Sequence, residues 1–197
     1  MPQPGSVTDV KGDWTVPPVT PTAGNTYSAI WIGIDGYSPF PGTVEQIGTE
    51  QDYYKGAANY YAWYELYPAA SHLINQAIYP GDKMSAEVSY SNGQFSLTLR
   101  DLTQNWKDVE TQQLNKALRN SAEWIVEAPG NIIQPLAQFG MVNFSNASAI
   151  INGHTGTISD RSWKADAITL VGFNGTVEAT PSKLTNGGGS FSVTRSP

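Results

Sequence analysis

Cysteine is absent from the 197-residue chain, so disulfides and thiolate metal sites are excluded. Basic residues are scarce: 11 Lys and Arg stand against 17 Asp and Glu, for a net charge of −6. Nucleic acid needs a basic footprint, so it is excluded as a partner. No apolar run is long enough to span a bilayer, and no membrane association is expected. The opening Met1-Pro2-Gln3-Pro4-Gly5-Ser6 has neither the basic nor the apolar region of a signal peptide. Any signal or pro-segment is therefore expected to be absent from this chain. Histidine is limited to His72 and His154, both in Ser-, Asn- and Gly-rich stretches without ligand-spaced partners. Both read as loop residues, and neither a metal nor another cofactor is expected.

What is present is aromatic and weakly acidic, with 10 Tyr and 6 Trp while charged residues make up only 14%. That balance points to a secreted protein working at low pH. The 40% hydrophobic fraction suffices for a core, and residues 1–197 read as one domain. Alternation of period two dominates. Met84, Ala86, Val88 and Tyr90 alternate with Ser85, Glu87 and Ser89. Phe95, Leu97 and Leu99 alternate with Gln94, Ser96, Thr98 and Arg100, and Ser91-Asn92-Gly93 between the two runs reads as a hairpin turn. Gly81-Asp82, Asn152-Gly153, Asn174-Gly175 and Asn186-Gly187-Gly188-Gly189 are further turn signals. This spacing predicts an all-β fold, an antiparallel β-sandwich. Only Asp108 to Asn120, with Val109, Leu114 and Leu118, could hold a helix. Residues 1–22 read as an extended arm with one short strand at Gly12 to Val16.

Four segments carry chemistry. In Ser121 to Glu127, Glu123, Ile125 and Glu127 share one strand face, and Trp124 and Val126 the other. In Ala29 to Gly36, Trp31, Gly33 and Asp35 lie opposite three isoleucines. Gln46 shares a face with Glu50, and Tyr61, Trp63, Glu65 and Tyr67 share another. Each segment is expected to bury an apolar side. Brought into one sheet, they build a surface of Trp31, Asp35, Gln46, Glu50, Trp63, Glu65, Glu123 and Glu127. Carboxylates gathered in a groove have raised pKa values, which suits proton transfer. Each residue also has a plainer reading. A lone Glu127 would be a solvated strand carboxylate, and Glu50 and Glu65 surface acids. Asp35 before Gly36 would cap a turn. Trp31, Trp63 and Trp124 would be core aromatics; that reading is kept for Trp124, while Trp63 is assigned to the groove.

Taken in order, Trp31-Ile32-Gly33-Ile34-Asp35-Gly36, Gln46-Ile47-Gly48, Tyr61 to Pro68, Pro80-Gly81-Asp82 and Ala122 to Glu127 resemble the glutamic peptidases. These are the eqolisin family of pepstatin-insensitive acid endopeptidases. The resemblance runs from about Val10 to Thr194. It implies a jelly-roll, concanavalin-like sandwich of two large sheets and a catalytic pair, Gln46 and Glu127. Glu127 would act as base and then acid, and Gln46 would stabilise the oxyanion. Trp31 and Trp63 would wall the groove, and Asp35, Glu50, Glu65 and Glu123 would support the pair. The partner implied is a protein or peptide substrate acted on by a monomer. Family members usually begin with a strand carrying Asn-Trp-Gly or Asn-Trp-Ala ahead of the region matching Val10 to Pro18. No such strand is found here, so an edge of the sheet is expected to be missing or replaced. The cysteines of fungal members are absent, as in bacterial relatives. The loop Ala128 to Gln134 looks short, implying altered subsites.

Two rival readings remain. A jelly-roll glycoside hydrolase would use paired carboxylates, but Glu123 and Glu127 lie about 13 Å apart along a strand. Glycosidase pairs sit within about 5–9.5 Å. A pair across strands, such as Glu65 with Glu127, would fit better. A non-catalytic lectin-like module would use Trp63 and Asp35 for binding alone.

Overall fold

The computed structural model describes residues 5–37, 42–130 and 134–196. Fourteen strands run through them. They are β1 (Val7–Thr15), β2 (Ala29–Asp35), β3 (Val44–Tyr54), β4 (Ala57–Tyr67) and β5 (His72–Ile74). Next come β6 (Lys83–Ser91), β7 (Gln94–Asp101), β8 (Trp106–Gln113), β9 (Ala122–Glu127) and β10 (Met141–Ile151). The last are β11 (His154–Thr157), β12 (Leu170–Val171), β13 (Val177–Pro181) and β14 (Phe191–Arg195). A nine-stranded sheet has the order β12-β13-β14-β10-β1-β6-β7-β8, with β11 on β10. A five-stranded sheet has the order β5-β4-β3-β2-β9. Every pairing between these strands is antiparallel.

Alternation decides which side of each sheet is buried. Ile30, Ile32, Ile34, Ile47 and Ala62 of the small sheet are fully buried, as are Val10, Met84, Val88, Leu97 and Leu99 of the large one. Each Ile, Val, Leu or Met among them contributes about 1.5–3 kcal/mol on leaving water. Two indoles tie the layers together. Trp14 Nε1 donates to Thr49 Oγ1 at 3.0 Å, and Trp124 Nε1 to the Lys11 carbonyl at 2.7 Å. Trp124 thus points to the large sheet and packs against the core while only partly buried. Residue 12 must be glycine for this, since a Cβ there would lie 2.8 Å from the Trp124 ring. The β6–β7 hairpin turns at Asn92 (φ 51°) and Gly93 (φ 82°), the pair of positive φ values that an Asn-Gly turn supplies.

Four expectations are corrected. His72 and His154 are not loop residues, for they open β5 and β11, where pairing with β4 and β10 draws them into the sheets. Asp108 to Asn120 holds no helix: β8 pairs with β7 from Trp106 to Gln113, and ladder hydrogen bonds override a weak helical period. The 1–22 segment is not an arm over its described part. β1 spans nine residues between β10 and β6, inside the large sheet, so the short strand begins five residues earlier than expected. The inner side of β3 is not apolar throughout, because Glu45, Thr49 and Gln51 are fully buried beside Ile47. Residues 131–133 of the loop after Glu127 lie outside the described residues.

Candidate active site

The outer face of the small sheet is organised in rows across the strands. Glu127 (β9), Ala29 (β2), Glu50 (β3) and Tyr61 (β4) form one row. Ile125, Trp31, Gly48, Trp63 and Leu73 of β5 form the next. Glu123, Gly33, Gln46 and Glu65 form the third. An apolar row therefore lies between two acidic ones. Ala29, Gly33 and Gly48 leave the middle low, so the tall side chains stand around a trough. Ala29, Trp31 and Trp63 pack as a small apolar cluster separate from the main core.

Gln46 and Glu127 are not on neighbouring strands, since β2 lies between them and they differ by four positions along it, Gly33 against Ala29. Trp31 bridges that offset. Its Nε1 donates to Glu127 Oε1 at 3.0 Å. The far side of its ring, Cζ3, would lie 3.1 Å from a Cβ on Gly33, and the Gln46 Cβ would lie 3.2 Å from the same point. Glycine at 33 therefore lets one indole reach from Glu127 to the Gln46 row. Gln46 in turn donates from Nε2 to Glu65 Oε2 at 2.5 Å, while its Oε1 has no partner among the described residues. Trp63 Nε1 is likewise buried without one. The Glu123 carboxyl turns the other way, toward Gly36, and accepts from Ser121 Oγ at 2.9 Å.

Burial is the leading cause of every shift here. It raises Glu127, opposed by the Trp31 N–H and reinforced by Glu65. It raises Glu65, opposed by Gln46. Glu123 is pushed to about 7, with Ser121 and the Tyr37 backbone N–H opposing. Glu50 is pushed to about 8 by burial and the neighbouring Asp52. In mildly acid solution Glu50 and Glu123 are therefore neutral, and charge in the trough is sparse.

The signature of the Peptidase A4 family matches residues 1–195. The chain belongs to this family. Aspergillopepsin-2 of Aspergillus niger is 33% identical over 140 residues, which is 68% of this chain and 49% of that protein. The match thus spans about half the length of that relative. The crystal structure of aspergilloglutamic peptidase from Aspergillus niger superposes with a TM-score of 0.73 at 29% identity, covering 87% of this chain and 99% of that one. Scytalido-glutamic peptidase, crystallised with a transition state analog inhibitor, gives a TM-score of 0.83 at 23% identity, covering 99% and 95%. Both share the sandwich architecture.

Within this A4 chain seven of the eight expected site residues fall in these three rows, Trp31, Gln46, Glu50, Trp63, Glu65, Glu123 and Glu127, with the Glu123 carboxyl turned toward Gly36. Asp35 is used differently. It is buried with φ 65°, and its carboxylate accepts the backbone N–H groups of Arg119 at 2.7 Å and Asn120 at 2.8 Å. It ties down the loop that leads into β9, because unsatisfied backbone N–H groups are costly to bury. Two residues missed from sequence complete the Glu50 end. Tyr61 OH donates to Asp52 Oδ2 at 3.3 Å, and Asp52 is itself pushed to about 6 by burial. Their signal was available: Tyr61 shares parity with Trp63, and Asp52 with Gln46 and Glu50.

Proposed function

We propose that this chain is an acid endopeptidase in which Glu127 activates the attacking water and Gln46 stabilises the oxyanion. The observation that carries the reading is the Trp31 indole, which holds Glu127 at one end and borders the Gln46 row at the other. A peptide laid in the trough would cross the apolar row, with Trp31 and Trp63 against its side chains. Glu127 as carboxylate takes a proton from water while the water oxygen attacks the carbonyl carbon. The developing oxyanion accepts from the Gln46 amide. Glu127 then returns the proton to the leaving nitrogen as the C–N bond breaks.

Gln46 suits this role because an amide keeps its N–H at any pH. One N–H is directed to Glu65, which orients the amide and leaves the other for substrate. The free Oε1 can accept from the water. Glu50, neutral in acid, can donate to a substrate carbonyl without repelling the charge on Glu127. The pair shares no proton between two carboxylates, unlike the aspartic dyad, so pepstatin is not expected to inhibit. We assign the substrate as unfolded protein or peptide, and the working form as a secreted monomer.

Incubation with acid-denatured casein, with and without pepstatin, tests the proposal. Peptide fragments are expected in both, and a parallel polysaccharide incubation should release no reducing sugar. Fragments that pepstatin abolishes, or none from casein at any acid pH, would overturn it.

A further inference from the structure

One contact reaches the trough from the other sheet. The connection 158–169 runs from β11 to β12 with no strand of its own. It is braced internally. Asp160 N donates to the Thr157 carbonyl at 3.0 Å, and Ser162 N donates to Asp160 Oδ1 at 2.8 Å. His154 Nε2 lies 3.1 Å from Asp160 Oδ2. The Trp163 ring packs 5.8 Å from the His154 ring, and its Nε1 donates to the Ile158 carbonyl at 3.1 Å.

From this base the chain runs on to Asp166. Lys164 Nζ is 3.0 Å from Asp166 Oδ1, and Tyr37 OH donates to Asp166 Oδ2 at 3.0 Å. Tyr37 lies two residues beyond β2 and 129 positions from Asp166 in sequence. Its backbone N–H favours the charged form of Glu123, and the residue before it, Gly36, lies directly against the Glu123 carboxyl. Gly36 (φ 113°) lets the backbone come that close, for a Cβ there would lie 3.1 Å from both Glu123 oxygens. Glu123 stands across Gly33 from Gln46. Asp166 is therefore linked through Tyr37 and its neighbour Gly36 to Glu123.

We infer that the connection 158–169 is a strap, and that its Asp166–Tyr37 contact positions Glu123 at the end of the groove. Tyr37 and Asp166 are positioning residues, acting through the carboxyl that closes the Gln46 row. The inference rests on the trough being the peptidase site. The strap is suited to acid solution. Asp166 is held below the usual carboxylate range by Lys164 and Tyr37, and Asp160 is held at about 2 by Ser162 and His154. Both keep their charge where Glu123 is neutral. The groups that act on Glu123 are Ser121 and the Tyr37 N–H, which favour its charged form, and Asp35 and Glu127, which oppose it. Releasing Tyr37 removes one favourable hydrogen bond, so the Glu123 pKa rises.

The test is a double-mutant cycle on Tyr37→Phe and Asp166→Ala, read by carboxyl-carbon NMR titration of Glu123 and by steady-state kinetics on a peptide. Each single variant should raise the Glu123 pKa. Each should also raise KM by about threefold to tenfold, the scale of one partly screened charge-assisted hydrogen bond, with kcat moving less. The double variant should be no worse than the poorer single, since both break one contact. Asp166→Asn keeps an acceptor for Tyr37 and should restore most of KM. An unchanged Glu123 titration in all variants, or effects on KM that multiply in the double variant, would overturn the strap. The titration needs no turnover, so a protein without peptidase activity would overturn the mechanism while the strap is still judged by NMR.

Discussion

Trp31 holds a donor against Glu127 while its ring borders Gly33 and Gln46, so its two ends can be tested apart. Trp31→Phe keeps an aromatic wall and removes the N–H. That N–H favours charged Glu127, so its loss raises the Glu127 pKa further. The acid limb of the kcat/KM profile should move to higher pH, and a pH–rate series would show it. An unmoved limb would mean that Glu127 is not the group titrating there. Glu127→Gln preserves volume and removes the base, so turnover should vanish while the fold persists. Full cleavage by that variant would sink the mechanism. Gln46→Ala should cost on the order of 10²–10³ in kcat, the usual loss of an oxyanion donor.

Strand β3 buries polar side chains on both of its sides. Its outer side carries Gln46 and Glu50, and its inner side buries Glu45 and Gln51 completely. Neither Glu45 oxygen has a partner among the described residues, and burial pushes the group to about 8. Its folded pKa is above the unfolded value. The resulting stability is present below about 4.5 and is lost as pH rises through about 8. Glu45→Gln cannot ionise. It should change the melting temperature little near pH 4 and raise it clearly near pH 8 relative to the parent. Equal shifts at both pH values would show that Glu45 does not titrate within the fold. Gly48, at the centre of the same strand, is fixed by contact: a Cβ would meet the Ile30 carbonyl and Trp31. Backbone cannot yield cheaply, so Gly48→Ala should destabilise by about 1–3 kcal/mol in chemical denaturation.

Across the whole molecule, raised acids outnumber lowered ones inside the fold. Glu45 and Glu50 lie at about 8, Glu123 at about 7, and Asp9 and Asp52 at about 6, all chiefly through burial. Each contributes stability that is complete below the ordinary carboxylate range and fades as pH climbs through its folded pKa. The lowered groups, Glu87, Asp160 and Asp166, act in the opposite sense. Their contribution is lost only on acidification below the ordinary carboxylate range, and it is small because their pairs are exposed. Melting temperature should therefore be highest in mildly acid buffer and fall between about pH 6 and 8. A melt that rises steadily from pH 5 to 8 would contradict this while leaving the family assignment untouched.

Side-chain alternation is local, with a fixed period of two, and so the face of each strand is legible in the residue order alone. Trp31, Gln46, Trp63, Glu65, Glu123 and Glu127 fall on one side for that reason, and Asn92-Gly93 marks its hairpin because few other residues accept both φ values. Pairing between distant strands is not local. It draws Trp106 to Gln113 into a ladder with β7 rather than a helix, and sets β1 inside the large sheet rather than along its margin. It turns Asp35 to the Arg119 and Asn120 amides, because an entering loop needs acceptors there. Sequence thus determined which residues share a surface. Tertiary structure decided that β2 separates Gln46 from Glu127, and that the Trp31 indole, lying over a bare glycine, joins them across it.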